Sequence, residues 1–469
     1  MQFRNTSILL FVLPMMAVAD VEYADGVTWN YNIVRDKAFL YGMSSPAPVA
    51  DGDDTLYVPP TLGGKPVVEI EAAGIRADWN TKLHIPASVT SVRHGAVSVG
   101  GFYDYTNRLQ WISVDSGNGY YKSVDGCLYT KDGRTFVLCP RGRLGRVTVA
   151  SGTQYIADNA FNGCIGVTAI SLPDTVVSIG ASACACCWSR YVGNSYVYMT
   201  SLRSVNIPSS VRYVGNSVFS NCRELDIDVV IPEGVQRIGE SAFADCSKIR
   251  SLSLPRSLVE IGSQAFSNCK NIGSVRFYEN LRVIGRLAFS GCTSLSSGMG
   301  GANVHFCGYN AFEKTAMLPD ALPDFVRGIG DSQYYNNASL TSVRIPGRIK
   351  VIGYYAFGSC ENLTTIVIEE GVEDIRAMAF YNIGCTDLTI PASVSRFGYR
   401  DGTDGSQGTV YYAGSWDQPA AIRFKGLPPK GFSTGSIDSY VKVYYPQRYA
   451  AQWAAVVPTT STYFGGYCN

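Results

Sequence analysis

The chain has 469 residues, with 39 Lys and Arg against 38 Asp and Glu, and only 16% of its residues are charged. A balance this even supplies no positive field to hold nucleic acid, and 46% hydrophobic residues argue against wholesale disorder. Three histidines, His84, His94 and His305, argue against a His-rich metal centre.

The N-terminus has the layout of an export signal. Arg4 supplies a basic start, Ile8 to Leu13 an apolar run, and Ala17-Val18-Ala19 a small-x-small cleavage pattern. Residues 1–19 are therefore expected to be a signal peptide cut after Ala19, and the mature protein to be secreted or held at the cell surface. No later stretch is apolar enough to predict a membrane-spanning helix, and no Cys directly follows the signal to accept a lipid. Residues 20–54 read as irregular and polar, with Asp51-Gly52-Asp53-Asp54, and are expected to form an N-terminal cap.

Residues 55–412 carry a repeat. Phe243, Phe266, Phe289 and Phe312 are spaced 23 apart, as are Phe357 and Phe380, and Phe161 and Phe219 belong to the same series. Tyr334 fills the slot between Phe312 and Phe357. Three residues after a marker stands a cysteine: Cys164, Cys222, Cys246, Cys269, Cys292 and Cys360, with Cys187 on the same phase behind Cys184. One unit reads Leu252-Ser-Leu-Pro-Arg-Ser-Leu-Val-Glu-Ile-Gly-Ser-Gln-Ala-Phe-Ser-Asn-Cys269. Leu252 and Leu254 alternate as in a strand. Pro255 ends its ladder, Gly262 suits a tight turn, and Ala265-Phe266 starts a short helical or 3₁₀ piece. One such unit cannot bury its own apolar residues, but stacked units can.

The motif Ile-Pro-x-x-Val-x-x-Ile-Gly-x-x-Ala-Phe-x-x-Cys-x-x-Leu, as in Ile231 to Ile249 and Ile345 to Leu363, resembles the BspA-type leucine-rich repeats of bacterial surface proteins. The resemblance spans roughly residues 55–400 and extends to the strand-turn-strand stretch Tyr121 to Pro140. It implies an α/β-type repeat solenoid, mostly β: a right-handed leucine-rich-repeat horseshoe or rod with a parallel sheet. About 12 turns of about 23 residues are expected, capped at both ends. It also implies a role in binding or adhesion, without naming a ligand.

Three departures interrupt the pattern. Residues 101–146 hold a hairpin insertion whose turn is expected at Lys131-Asp132-Gly133-Arg134. Between Cys187 and Leu202 the usual step of three becomes fifteen, which places an aromatic insert, 188–201, with Trp188, Tyr191, Tyr196 and Tyr198. Further on, Gly298, Gly300 and Gly301 take strand slots, Cys307 takes an Ile slot, and the turn from Phe312 to Tyr334 is one residue short; an irregularity is expected there. After Gly398 the phase is lost. Val410-Tyr-Tyr, Ala421 to Phe424 and Val441 to Tyr445 read as closing strands, Tyr449 to Val457 as a short helix, and 413–469 as the C-terminal cap.

Fourteen cysteines in an exported chain would ordinarily mean disulfides. Here the phased set is expected to stand as a ladder of reduced, buried thiols, since Thr315 and Asn337 take the same slot and bond backbone carbonyls as a thiol does. Cys127, Cys139, Cys385 and Cys468 are off phase, and their pairing is open. No metal site, cofactor or catalytic residue is expected: the Cys184, Cys186 and Cys187 group already has core slots, and the three histidines fit no motif. Glu369-Glu370 and Asp51 to Asp54 read as solvated loop residues rather than as paired carboxylates for glycosidic cleavage.

Two rows of outward strand positions remain. The first is small: Ala169, Ser204, Ser251, Ser274, Ser297, Ser342 and Thr365. The second varies: Ser171, Asn206, Ser253, Arg276, Met299, Arg344 and Val367. Variation suits a surface that reads a partner, so Arg276, Arg344 and the aromatic insert are the candidate binding residues. The expected function is non-enzymatic binding or adhesion to a macromolecule, a protein or a glycan. A carbohydrate-active enzyme on the same scaffold and a structural surface-layer component are the alternatives, and the oligomeric state is open.

Overall fold

The computed structural model describes residues 20–24, 26–44, 54–71, 74–76, 80–93, 95–98, 108–185, 189–192, 195–198, 201–300, 303–308, 310–399, 421–432 and 441–468. The signal segment, Asp51 to Asp53, His94, Cys186, Cys187, Trp188 and Val410 to Tyr412 lie outside them. The fold is mostly β with almost no helix: stacked parallel strands form a β-solenoid of about 15 turns of ~23 residues. The excess over the sequence count comes from the C-terminal end. There Asp387–Ile390, Ala421–Phe424, Lys442–Pro446 and Phe464–Cys468 continue one parallel sheet after the motif has faded. The chain divides into two compact units, Met1–Gly145 with Ala157–Gly166, and Arg146–Ile156 with Val167–Asn469.

The first unit opens with a sheet, which corrects the reading of 20–54 as irregular. Asp20–Ala24, Val27–Val34 and Lys37–Met43 pair antiparallel, and the last lies parallel to Lys65–Ile70. Val27, Trp29 and Tyr31 alternate inward into the core, a period of two that the surrounding Asp and Gly residues disguise in the sequence. Three parallel strands follow, in the order Thr55–Tyr57, Lys82–Ile85, Trp111–Val114. The 101–146 insertion contributes a three-stranded meander, Tyr121–Val124, Cys127–Thr130 and Thr135–Leu138, with two turns rather than one. Asp125 and Gly126, both at positive φ, make the first, as a two-residue hairpin requires. Lys131 to Arg134 makes the second, closed by Asp132 on Thr130 and on the Arg134 amide.

In the second unit each turn contributes to three files. The first holds the strands Val167–Ser171, Ser204–Val205, Asp228–Val230, Ser251–Ser253, Ser274–Phe277 and Ser297–Gly300. The Pro that follows lends its carbonyl to the amide three residues on, as from Leu258 to Pro255 and Val235 to Pro232, which explains the Pro-x-x-Val spacing. The second file is a ladder of two-residue strands in parallel register, Ser178–Ile179, Tyr213–Val214, Arg237–Ile238, Glu260–Ile261, Val283–Ile284 and Phe306–Cys307. The Gly after each strand is there for closeness, not for a turn: a Cβ on Gly262 would stand 2.7 Å from the Glu240 amide nitrogen and from the Gly239 carbonyl carbon of the turn before.

The third file carries the markers, and its backbone is neither helix nor 3₁₀. The residues two before and two after each Phe sit at positive φ, as at Gln264 (57°) and Asn268 (59°) around Phe266. The later position is mostly Asn, Asp or Gly, the residues that tolerate this region best, so the Asn before the Cys in the motif is a backbone requirement. Alternation points every second amide at the next turn. Gln264, Phe266 and Asn268 donate to the carbonyls of Arg286, Ala288 and Ser290 at 2.7–2.8 Å. Inside this file the rings of Phe219, Phe243, Phe266, Phe289 and Phe312 stack at 5.2–5.5 Å.

All three files stop at one place. Among the described residues no ladder bond joins the turn of Phe312 to the turn of Tyr334. A second stack then begins, with Gly328–Ile329, Val351–Ile352, Asp374–Arg376 and Arg396–Tyr399 in one file and Tyr334, Phe357 and Phe380 stacked in another. The intervening segment plugs the fault. Met317 and Pro323 sit where a side chain on Gly298 would be, and Phe325 packs edge-on to Phe277 at 5.6 Å. Gly298 is thus a strand slot whose side chain is supplied from another part of the chain.

Candidate binding surface

The outward rows take shape from the register of the first file. Asp228 pairs with Ser251 and Val230 with Ser253, while Ser274 pairs with Ser297 and Arg276 with Met299. Asp228 and Val230 therefore belong to the rows, although their turn, one residue longer than its neighbours, displaces them in the sequence. At the other end Ala169 is in register with Ser204 but buried, so the first row does not begin there as an exposed position.

Carboxylates on this face are held by neighbouring arginines. Arg250 bridges Asp226 at 3.2 Å and Asp228 at 3.8 Å, and Ser251 donates to Asp228. Arg344 donates to Glu369 at 2.7 Å, and Arg423 to Asp387 at 2.8 Å. Glu369 also accepts the Gly347 amide, and these two contacts hold its carboxyl below the usual range, the amide contributing most. Glu370 accepts the amides of Ala392 and Ser393. Both glutamates, read from sequence as solvated loop residues, are instead acceptors that tie one turn to the next; Asp54 does the same for Thr81 in the first unit.

Arg276 differs from Arg344. Its guanidinium lies over the ring of Tyr278 at 5.4 Å, with Arg256 over the same ring at 5.1 Å, and among the described residues it forms no ion pair. Its row also holds exposed apolar side chains: Val230, one position past Ser253, is 59% exposed, Met299 61% and, beyond the fault, Val367 48%. Of the aromatic insert, Ser189–Val192 and Ser195–Tyr198 form an antiparallel hairpin in which Tyr191 faces Tyr196 and Tyr198 faces Ser189. This hairpin pairs with no other strand among the described residues. Trp188 lies outside those residues.

The fault adds a cavity of about 450 Å³ that the sequence did not disclose. Phe306, Phe312 and Phe325 form its apolar walls, and Asn310, Lys350 and Arg376 bring polar atoms to it. Lys350 is tied to Glu373 and Arg376 to Asp331, so the cavity's cations are partly neutralised. Among the described residues no His, Cys, Asp and Glu group has the makings of a metal site. His84, half-buried, shares a hydrogen bond with Ser113 at 3.0 Å.

Of the phased cysteines Cys164 is only half-buried, against the expectation, and the others among the described residues are internal. Cys222, Cys246, Cys269, Cys292 and Cys360 are fully buried and unbridged. Each thiol donates to a carbonyl of the preceding turn: Cys246 to Phe219, Cys269 to Phe243, Cys292 to Phe266 and Cys360 to Tyr334, at 3.0–3.1 Å, and Cys222 to Cys184 at 3.2 Å. Thr315, in the same slot, donates to Phe312 of its own turn. Burial pushes the Cys292 thiol up to about 12 and raises the Cys269 thiol well above its ordinary value.

A comparison with the curated proteins returned no match. Among solved structures, the chain is similar to a leucine-rich repeat protein from Bacteroides ovatus, at 18% identity and a TM-score of 0.47, covering 96% of this chain and 100% of that one. It is similar to a leucine-rich cell surface protein from Faecalibacterium prausnitzii, at 20% identity and a TM-score of 0.38, covering 75% and 95%. The pneumococcal vaccine antigen PcpA matches at 14% identity and a TM-score of 0.34, covering 97% and 99%. The BspA type leucine-rich repeat region matches in six copies, over 137–192, 190–319 and 321–400. Taken with the 23-residue turns and their Phe and Cys files, that match, over more than half of the chain, makes this protein a member of the BspA-type leucine-rich repeat family.

Proposed function

We propose that the protein is a non-enzymatic, secreted or surface-held binding protein that recognises a macromolecule on its outward strand face. The observation that carries this reading is the row Val230, Ser253, Arg276, Met299. It is exposed, it includes two large apolar side chains the fold leaves uncovered, and it includes an arginine without a carboxylate partner among the described residues. Met and Arg are enriched where proteins meet, and Arg and Tyr dominate binding energy when buried there. Exposed aliphatic groups favour a protein segment over a glycan, which stacks on aromatic faces. The hairpin at 189–198 would extend the contact, since loops on rigid scaffolds are common recognition sites. The export signal and membership of a family of surface proteins support the location. The face is poor ground for glycosidase chemistry, because Asp228, Glu369 and Asp387 are each tied to an arginine.

The test is a binding screen of the mature chain against extracellular-matrix proteins and a glycan array. The double variant Arg276→Ala, Met299→Ser is then measured on whatever binds. Loss of binding at an unchanged melting temperature supports the reading. Undiminished binding places the partner elsewhere.

A further inference from the structure

The first unit brings the phased Cys164 together with the off-phase Cys127 and Cys139. Cys127 begins a strand directly after the Asp125-Gly126 turn, and Cys139 directly follows Thr135–Leu138, the strand that pairs with it. Leu128 faces Leu138, so Cys127 and Cys139 are the next facing positions along the hairpin. Facing residues in an antiparallel pair have Cα atoms about 4.5–5.5 Å apart, within the span a disulfide accepts. Cys139 is completely buried and interacts with both the Cys127 and the Cys164 thiols. Cys164 is the exposed member: it is only half-buried, and its sulfur lies 3.6 Å from the Cys139 carbonyl and 3.8 Å from that of Pro140.

We propose that Cys127, Cys139 and Cys164 form a thiol–disulfide exchange site, entered at Cys164 and closed as a Cys127–Cys139 bridge. The co-reactant is an external disulfide, from a small thiol or an oxidoreductase. The Cys164 thiolate attacks it, forming a mixed disulfide and releasing one thiolate. The Cys139 thiolate attacks the Cys164 sulfur and releases the second. The Cys127 thiolate then attacks Cys139, and Cys164 leaves as a thiolate that regains its proton. In sum two protein thiols lose two electrons, the external disulfide gains them, and the protons of Cys127 and Cys139 end on the two released thiols.

Burial raises the Cys139 thiol well above its ordinary range, while the neighbours of Cys127 favour its ionisation. The Cys139 thiol, hydrogen-bonded to Cys127, and the nearby Arg143 hold Cys127 below its ordinary range, which favours the thiolate that makes the last attack. Cys164 can return to its carbonyl bonds once it leaves, whereas Cys127 and Cys139 face each other and are left bridged. The ladder thiols have no such outlet, because each is buried against a carbonyl of the turn before it.

The reduced full-length chain is incubated with oxidised glutathione at mildly alkaline pH, quenched with an alkylating reagent, and mapped by peptide mass. The expected product joins Cys127 to Cys139 and leaves the ladder cysteines alkylated only after unfolding. Cys164→Ser, with an unchanged melting temperature, reaches the same bridge at least about tenfold more slowly, and Cys127→Ser stops at a Cys139–Cys164 bridge. Recovery of all three thiols unbridged, or bridge formation at an unchanged rate in Cys164→Ser, overturns the proposal.

Discussion

Phe266→Ala tests the stacked core where it is most regular. Phe266 is fully buried between two parallel rings, Phe243 and Phe289, each 5.3 Å away. Losing the burial of the side chain costs about 2–3 kcal/mol. Each ring face adds about 0.5–1.5 kcal/mol beyond area, and the rigid ladders above and below limit collapse into the void. The expected loss is about 3–5 kcal/mol, the usual range for Phe→Ala in a core. A repeat array need not unfold in one step, so urea unfolding should be paired with amide exchange at Phe243 and Phe289, whose turns flank the void. Exchange should quicken there first and fade with distance along the stack, because each turn touches only its neighbours. A loss under about 1 kcal/mol, or exchange that quickens uniformly, would refute the stacked-file account.

The remaining expectations concern thiols and loops. Cys222, Cys246, Cys269 and Cys292 should react with a thiol reagent only after denaturation; labelling in the folded state, or a bridge among the four by mass spectrometry, would contradict the ladder. Burial raises Cys292 from 9.0 to about 12 in the folded state. The unfolded chain therefore gives up that proton first, and the stability present below pH 9 is lost as pH climbs toward 12. Unfolding free energy should fall over that window by up to about 1.4 kcal/mol per pH unit for each such thiol, and Cys292→Ser should flatten the slope; an equal slope in the variant argues against it. Deleting Arg190 to Tyr198 should leave the melting temperature nearly unchanged, since that hairpin pairs only with itself among the described residues, while weakening partner binding; a collapse of folding would show the insert to be packing.

The repeat was legible because burial repeats with it. Ala, Phe and Cys recur at fixed steps where the files need a small group, a ring and a thiol, and chance does not keep several such steps in phase. Asn268 and its equivalents suit the positive φ after each marker, but the stretch reads from sequence as helical or 3₁₀ because the apolar pair Ala265-Phe266 carries no sign of alternation. Nothing signalled the positive φ before the marker, where Gln264, Leu287 and Met378 are held by the bonds of neighbouring turns rather than by their own preferences. The fault was legible as a short turn with glycines in apolar slots, but not its cavity, which depends on Met317, Pro323 and Phe325 arriving from outside the repeat. Asp228 escaped notice because one extra residue in its turn shifted the phase. The pairing of Arg344 with Glu369 crosses between turns, and a linear reading cannot see which outward charges are already satisfied.

The fault also bears on how the second unit would respond to being pulled. The turns on either side of it are each laced to their own outer neighbour by the second and third files of hydrogen bonds and by a ring contact, loaded together when the ends are drawn apart. Between the turns of Phe312 and Tyr334 no ladder bond among the described residues resists, only side-chain contacts such as the Tyr334 hydroxyl on the Met317 carbonyl. Tension should part the stack there first, paying out the segment from Thr315 to Asp331. At about 3.5 Å per extended residue, that gives a step of about 60 Å while the stacks on either side stay intact. A protein held at a surface in flowing liquid would thereby have a built-in yield point, set by one short turn.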